Sequence, residues 1–362
     1  MKKKILIIAN NSGGLYQFRK ELIETLILKG NQVYASIPED DYFEELKEIG
    51  VKIVKTDIDR RGMNPVKDLG VIKNYCKIIK EVNPDQIITY TIKPNLYGGM
   101  IAGFKQIPYA INITGLGTTF QKEGMFKKVI VLFYKIACRK AKTVFFENSG
   151  NAQIFRDLKI VDENQICILN GAGVNLEKFH YSEYPKESSH THFLFIGRIM
   201  KEKGVGELFD VIERIHKEDN SVVLDVLGYM EEEHDRRVKE LVEQGAVIYH
   251  GHQDDVRPYI EKSHCFVLPS YHEGMANTNL ECASMGRPLI TSRIHGCMEA
   301  VVEGKSGLLC EKQDAEDLYQ KMKEFIEMPY EERKAMGQAG REHMENVFDK
   351  KKVVEETLDK VL

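Results

Sequence analysis

A chain of 362 residues is long for one hydrophobic core and comfortable for two, because single cores stop growing at roughly 250 residues. Hydrophobic residues at 43% and charged residues at 29% exclude an extended disordered chain. The net charge of −4 hides an asymmetry, +8 over residues 1–180 and −12 over the remainder, and neither half carries the concentrated cationic face of a general nucleic-acid binder.

The chain opens with "KILIIA", an apolar run too short for a signal peptide, and no uninterrupted apolar stretch of about 18 residues follows anywhere. An amphipathic "LYQFRKELIETLILKG" comes next, then "QVYASIP", "YFEELKEIG" and "VKIVKTD". Strand and helix alternating at this spacing predict βαβ units around a parallel sheet. The alternation continues through "PDQIITYT", "PYAINIT", "KTVFFEN" and "QICILN", so residues 1–180 read as one Rossmann-like domain. Residues 181–192, "YSEYPKESSHTH", are polar and without period, which makes them the expected linker. The pattern then restarts with "FLFIGR", a helix through 206–217, "VVLDVLG", a helix through 231–244, "AVIYHG", a short helix near 256–262, "CFVLPS", a helix carrying Glu281, and "PLITS". A second Rossmann-like domain is expected over 193–345. The final helix, 346–362, is a candidate to cross back to the first domain. The seven cysteines are scattered with no CxxC pair, which fits a reduced, cytoplasmic protein without a zinc cluster.

Two doubly wound domains joined by a linker imply a cleft, with ligands beyond the carboxyl ends of the strands. The loops of interest therefore follow "LIIA", "LFIG" and "FVLP". In "IGRIMKEKG", Gly197 allows close backbone approach, and Arg198 and Lys203 place two cations in a loop opening onto a helix. Backbone N–H groups, helix dipole and cations together suit a diphosphate; a solvated loop is the plainer reading of the same residues. In "PSYHEGMANTNLECASMGRP", His272 and Glu273 precede Gly274, and Asn277 or Thr278 is placed to cap a helix that stops near Gly286. Glu273 then sits at the mouth of the cleft and Glu281 faces outward. A carboxylate accepts two hydrogen bonds at once, which suits vicinal sugar hydroxyls; the alternative is a helix-dipole Glu and a surface Glu.

The pairing of "GRIMKEKG" with "PSYHEGMANTNLECASMGRP", followed by "HGCMEAVVEGKSGLL", resembles the family 4 retaining glycosyltransferases of the GT-B fold. Their E-x7-E signature matches Glu273 and Glu281. The likeness spans nearly the whole chain, including "NSGGLYQFRKEL" and "NGAGVNLEKF". "TYTIKPNLYGG" and "INITGLGTTF" are similar to bacterial enzymes that extend lipid-linked glycans for capsule, O-antigen or protein glycosylation. The resemblance implies α/β architecture with two facing domains and assigns Arg198 and Lys203 to the donor diphosphate. Glu281 falls to the ribose, and Glu273 with Gly274, Met275, Ala276, Asn277 and Thr278 to the donor sugar. Gly13, Gly14, Gly197 and Gly228 would let the backbone approach the donor, and His252 would lie against the base.

Many members carry a histidine in the N-terminal domain, whereas this chain has none before His180; Thr114, Gly115 or a backbone carbonyl is the candidate to take its place. The leaving phosphate would then take the acceptor's proton. No resident cofactor is implied: the expected partners are a nucleotide sugar, with UDP as the expected nucleotide, and a polyprenyl-diphosphate-linked glycan. Arg19, Arg60, Arg61, Lys93 and Asn95 are candidates for the acceptor side. The Asp57-Ile58-Asp59 motif could suggest a metal, but it lies within a domain that the resemblance already explains.

Rival readings are a nucleotide-sugar 2-epimerase of the same fold, a glycosyltransferase with a soluble acceptor, and a nicotinamide-dependent dehydrogenase. The histidine-free first domain counts against the epimerase, and "ANNSGG" in place of GxGxxG counts against the dehydrogenase. A non-catalytic sugar-binding module would leave the diphosphate loop without a purpose. Residues 120–142 hold seven Lys and Arg and one Glu. Apolar positions 125, 126, 129, 130, 132, 133, 136 and 137 form one helical stripe, with Lys128, Lys135, Arg139 and Lys142 broadly opposite. Such a helix either rests on the anionic inner face of the plasma membrane or packs on the core with a solvated cationic face.

Overall fold

The computed structural model describes residues 2–56, 58, 65–117, 120, 124–231 and 234–362. The Asp57-Ile58-Asp59 motif, Arg60, Arg61 and residues 121–123 of the basic segment therefore fall wholly or partly outside the described residues. The chain divides into two compact units, Met1–Ala172 with Lys351–Leu362, and Gly173–Lys350.

The first unit is built on strands β1 (Lys4–Ile8), β2 (Gln32–Ile37), β3 (Lys52–Lys55), β4 (Gln86–Tyr90), β5 (Tyr109–Ile113), β6 (Thr143–Phe146) and β7 (Ile166–Ile168). All pair in parallel, in the order β3-β2-β1-β4-β5-β6-β7. Sheets covered by helices on both faces need strands that are apolar on both sides, and "KILII" supplies them. Leu6 and Ile8 face a core with Tyr75, Ile78 and Tyr134, while Ile5 and Ile7 face another with Leu22, Ile23 and Leu26. The last helix, Lys350–Val361, places Val353, Leu358 and Val361 in the second of these cores.

The second unit repeats the plan with β8 (Thr191–Ile196), β9 (Val222–Leu227), β10 (Val247–Gly251), β11 (Cys265–Leu268), β12 (Leu289–Ser292) and β13 (Gly307–Cys310). Their order is β10-β9-β8-β11-β12-β13. In each sheet the strand order reverses once, between β1 and β4 and between β8 and β11. Beyond the carboxyl ends of those pairs lies the crevice that doubly wound sheets use for ligands. Strand β13 and the helix Ala315–Glu327 were not among the expected elements, and the helix expected at 231–244 is Asp235–Glu243.

Residues 181–184 are not a free connector. Tyr184 is buried and donates to the carbonyl of His264 at 3.0 Å, and the fully buried Arg287 donates to the carbonyls of Ser182 and Glu183 at 3.1 and 3.0 Å. The chain passes between units at Ala172 instead. A polar composition gave the linker reading; an arginine about a hundred positions later supplies the partners that composition does not register.

Helix Met125–Cys138 lies within the basic amphipathic segment 120–142. Its apolar residues do not form one buried stripe: Ile130, Tyr134, Ala137 and Cys138 are buried, whereas Met125, Phe126, Val129, Leu132 and Ile136 are exposed. Among the described residues no helix is long and apolar enough to cross a membrane.

Candidate donor site in the second unit

The second sheet's reversal sets the site. After β8 the chain makes a short turn at Lys201–Lys203 and enters helix Val205–Glu218 through Gly204. Gly204 has φ +69°, and a Cβ there would stand 2.0 Å from the carbonyl oxygen of Pro269. Gly228, at φ +142°, would meet the carbonyl oxygen of Gly197 at 1.8 Å. No side chain fits at either position, so the loop after β8 lies directly against the chain leaving β9 and the chain leaving β11.

That contact brings together two residues 70 positions apart. Lys203 Nζ donates to Glu273 Oε1 at 2.5 Å, and Ser270 Oγ donates to the same oxygen at 2.8 Å. The side chains of Lys203 and Glu273 keep 20% and 11% of their exposure: neither is sealed in the core, and neither is loose in solvent. The Tyr271 amide donates to the carbonyl of Glu202 at 2.8 Å, and its hydroxyl donates to Glu207 at 2.5 Å, tying the two loops a second time. Burial and the neighbouring Glu207 carboxylate push the Tyr271 hydroxyl well above its usual range.

Arg198, early in the same loop, is half exposed, and its Nη1 donates to Glu231, after β9, at 3.0 Å. Met275 and Ala276 are buried, and the Ala276 amide donates to the carbonyl of Gly296 at 2.7 Å. Helix Asn277–Ser284 begins at Ala276 with no side-chain cap. Asn277 and Thr278 are thus its first residues and not its caps, and the buried Asn277 Oδ1 has no hydrogen-bond partner among the described residues. Glu281 does not face outward. It is half-buried, and burial pushes its carboxyl up to about 7 against the pull of Lys178 and Lys350. His252, after β10, stacks on Tyr229, after β9, with ring centroids 4.1 Å apart.

The first unit holds its own candidates. Asn11 caps helix Ser12–Leu28 and accepts from the Gly14 amide at 2.5 Å, with Gly13 beside it in the first turn. Arg19 forms a buried ion pair with Glu147 and lies over the ring of Tyr90. Lys93 pairs with Asp68 at 2.9 Å, also buried. Both cations are acceptor-side candidates in the sequence; in the fold Arg19 faces a carboxylate 128 positions away and Lys93 one 25 positions away. Asn95 donates to the carbonyl of Asn112 at 2.8 Å, and its own Oδ1 has no hydrogen-bond partner among the described residues. Thr114 and Gly115 follow β5, half-buried.

Sequence reading did not single out Ser270, Gly204, Glu231, Tyr229 or Gly296. Gly204 ends the quoted "GRIMKEKG" and Gly296 belongs to the quoted "HGCMEA", so their positions were visible but their contacts were not.

With this geometry in place, the chain can be set beside known proteins. Residues 190–328 match the family model "Glycosyl transferases group 1", and residues 4–148 match "Glycosyl transferase 4-like". The chain is 29% identical over 344 residues to N,N'-diacetylbacillosaminyl-diphospho-undecaprenol alpha-1,3-N-acetylgalactosaminyltransferase of Campylobacter jejuni, covering 90% of this chain and 89% of that one. It is 26% identical to the capsular polysaccharide biosynthesis glycosyltransferase CapM of Staphylococcus aureus, covering 86% of each. Among solved structures, a Rickettsia africae glycosyltransferase superposes with a TM-score of 0.82 at 20% identity, over 99% of this chain and 97% of that one. Anabaena HepE in complex with UDP-glucose superposes with 0.79 at 16% identity, over 99% and 100%. The chain belongs to the GT-B glycosyltransferases, with a group 4-like first domain and a group 1 second domain.

Proposed function

We propose that this enzyme transfers a hexose or N-acetylhexosamine from a UDP-sugar to a polyprenyl-diphosphate-linked saccharide, with retention and without a metal, in surface-glycan synthesis at the cytoplasmic face of the membrane. The observation that carries the reading is the Lys203–Glu273 pair, held at the reversal point of the second sheet by a loop that only glycine permits.

In this reading the bond between the anomeric carbon and the diphosphate breaks, and its electron pair goes to the phosphate oxygen. Lys203 and Arg198 stabilise that oxygen as charge collects on it, a preorganised electrostatic contribution that needs no movement at the moment of reaction. Glu273 accepts hydrogen bonds from the sugar hydroxyls and, through its bond to Lys203, couples sugar recognition to the phosphate cation. Glu281 accepts from the ribose hydroxyls, more strongly and with both oxygens in its ionised form. The acceptor hydroxyl attacks on the face the phosphate leaves, and its proton passes to that phosphate. Tyr229 and His252 offer the stacked aromatic surface for the base.

The acceptor class is supported by the Campylobacter relative, whose name specifies a diphospho-undecaprenol saccharide, and the uridine by the Anabaena structure with UDP-glucose. The test is a donor screen: thermal shift with UDP, GDP and ADP, then transfer assays with sugars of the winning nucleotide. UDP is expected to raise Tm by several degrees and the other two not to; stabilisation by ADP alone, or conversion of the sugar to its 2-epimer, would refute the reading.

A further inference from the structure

The stretch "HGCMEA" has no part in the donor reading, yet its contacts end at Glu273. It follows β12 and makes one short turn at Met298–Ala300 before the chain runs on to β13. Gly296 stands there at φ +90°, and a Cβ on it would lie 2.7 Å from the carbonyl oxygen of Glu273 and 2.8 Å from that of Gly274. Only glycine lets two segments of backbone approach this closely. The Gly296 carbonyl also accepts from the Ala276 amide at 2.7 Å, where helix Asn277–Ser284 begins without a side-chain cap. Gly296 therefore meets the loop of Glu273 at three successive points, Glu273, Gly274 and Ala276.

Gly296 is itself held by Glu299. Its amide donates to Glu299 Oε2 at 2.7 Å, and His295 Nδ1 donates to Glu299 Oε1 at 2.8 Å. An ionised carboxylate only accepts, so His295 carries its hydrogen on Nδ1. Both oxygens of one side chain are thus taken within its own turn, by the residues three and four positions back. Bonds to an ionised acceptor are the stronger kind. The amides of Cys297, Met298, Ala300 and Val301 donate to backbone carbonyls of the turn; the Gly296 amide depends on the Glu299 side chain.

The backbone of Glu299 is anchored from a third side. Its carbonyl accepts from His343 Nε2 at 2.9 Å, on helix Tyr330–Val347, and the His343 ring stands edge-on to Phe348 with centroids 5.5 Å apart. A continuous set of contacts therefore runs from that helix through Glu299 and Gly296 to the loop of Glu273, all of it inside the second unit. Lys203 is placed by other means, through Gly204 against Pro269 and the Tyr271 amide on Glu202.

We infer that Glu299 is a positioning residue for the donor-sugar loop: acting through Gly296, it sets the backbone from Glu273 to Ala276. Its loss should fall on the sugar half of the donor and spare the nucleotide half, whose groups are placed separately. The effect on transfer rests on the donor reading; the effect on the loop rests on the contacts alone.

Hydrogen–deuterium exchange of the unliganded full chain reads the loop directly. Glu299→Ala is expected to speed exchange about tenfold in peptides covering 274–277 and 294–298, the size of one lost bond to a charged group. Glu299→Gln, whose amide oxygen still accepts from Gly296, should stay near the unsubstituted rate. Arg293→Ala, which removes a surface pairing with Glu303 and Glu311 beside the same turn, should change neither peptide. If Glu299→Ala melts too low for the measurement, Glu299→Asp, one methylene short of Gly296, replaces it with the same expectation. Unaltered exchange at 274–277 overturns the inference, as does an equal rise with Arg293→Ala or across the whole unit.

Calorimetric titration reads the consequence. Glu299→Ala should bind UDP-N-acetylgalactosamine about tenfold more weakly and UDP within about twofold of normal, with Glu299→Gln recovering the loss. An equal loss for both ligands would mark a merely structural role and overturn the inference. If neither ligand binds the unsubstituted chain, the donor reading fails, and the exchange result still decides whether Glu299 sets the loop.

Discussion

The two sheets share one strand order over six strands, the first adding β7 at its edge, and put charged pairs near the same reversal point, yet the pairs are made differently. In the first unit, Arg19–Glu147 and Lys93–Asp68 are buried, with side chains at or below a tenth of their exposure, and Arg19 is further covered by Tyr90. In the second, Lys203–Glu273 is carried on loops, and the half-exposed Arg198 pairs with Glu231 on the loop after β9. A buried pair is costly to open because each partner is left as an uncompensated charge in a poor solvent. A pair on a loop can exchange one partner for a ligand's phosphate or hydroxyl at little cost. The same ion-pair chemistry therefore serves as scaffold in one sheet and as binding surface in the other.

The largest effect that separates them is catalytic. Lys203→Ala and Glu273→Ala are each expected to lower kcat/KM for transfer by about 10² to 10³ while Tm stays within a few degrees. Steady-state kinetics beside thermal melting reads both. Normal turnover in either variant would break the comparison.

The next largest is structural. Arg19→Ala or Glu147→Ala should destabilise by about 3–5 kcal/mol, because the partner remains buried and unpaired, lowering Tm by roughly 10 °C. The double replacement Arg19→Met/Glu147→Leu should recover most of that loss in a denaturant titration. Failure to recover would mean that the pair acts on something besides its own burial.

Gly204 sharpens the role of the loop. Gly204→Ala forces a Cβ against the Pro269 carbonyl and should cost several degrees of Tm together with donor affinity. Gly70→Ala, in helix Pro65–Val82 with open space around it, should instead add about 0.5–1 kcal/mol.

The smallest effect is in pH. The Glu281 carboxyl lies at about 7 in the folded protein because it is buried, and near 4.3 in an unfolded chain. Between those values the folded state binds the extra proton, so the contribution of Glu281 to stability declines as pH rises from about 4.3 to 7 and is level beyond. The ionised form accepts more strongly, so donor binding should strengthen over pH 6 to 8. Glu281→Gln should raise Tm by about 3 °C at pH 8, weaken UDP about tenfold, and flatten both profiles.

Much of this was legible in the sequence. Apolar runs of four to six residues fixed the positions of most strands, and the residue types of "GRIMKEKG" and "PSYHEG" pointed to a diphosphate and a sugar. What was not legible depends on contacts across the chain. Glu147 neutralises Arg19 from 128 positions away, and Arg287 anchors the segment that composition reads as linker. The periodicity of residues 125–137 gave one broad apolar stripe, while the packed helix divides it into a core side and a solvent side, because only the neighbouring elements decide which rows are covered.

The most direct test is calorimetric titration of UDP into the unsubstituted protein, Lys203→Met and Arg19→Met. If the second sheet's loop pair is the donor site and the first sheet's buried pair is scaffold, Lys203→Met binds UDP at least tenfold more weakly, while Arg19→Met, at a temperature where it remains folded, binds it normally. Unchanged affinity in Lys203→Met, or an equal loss in folded Arg19→Met, would contradict the account.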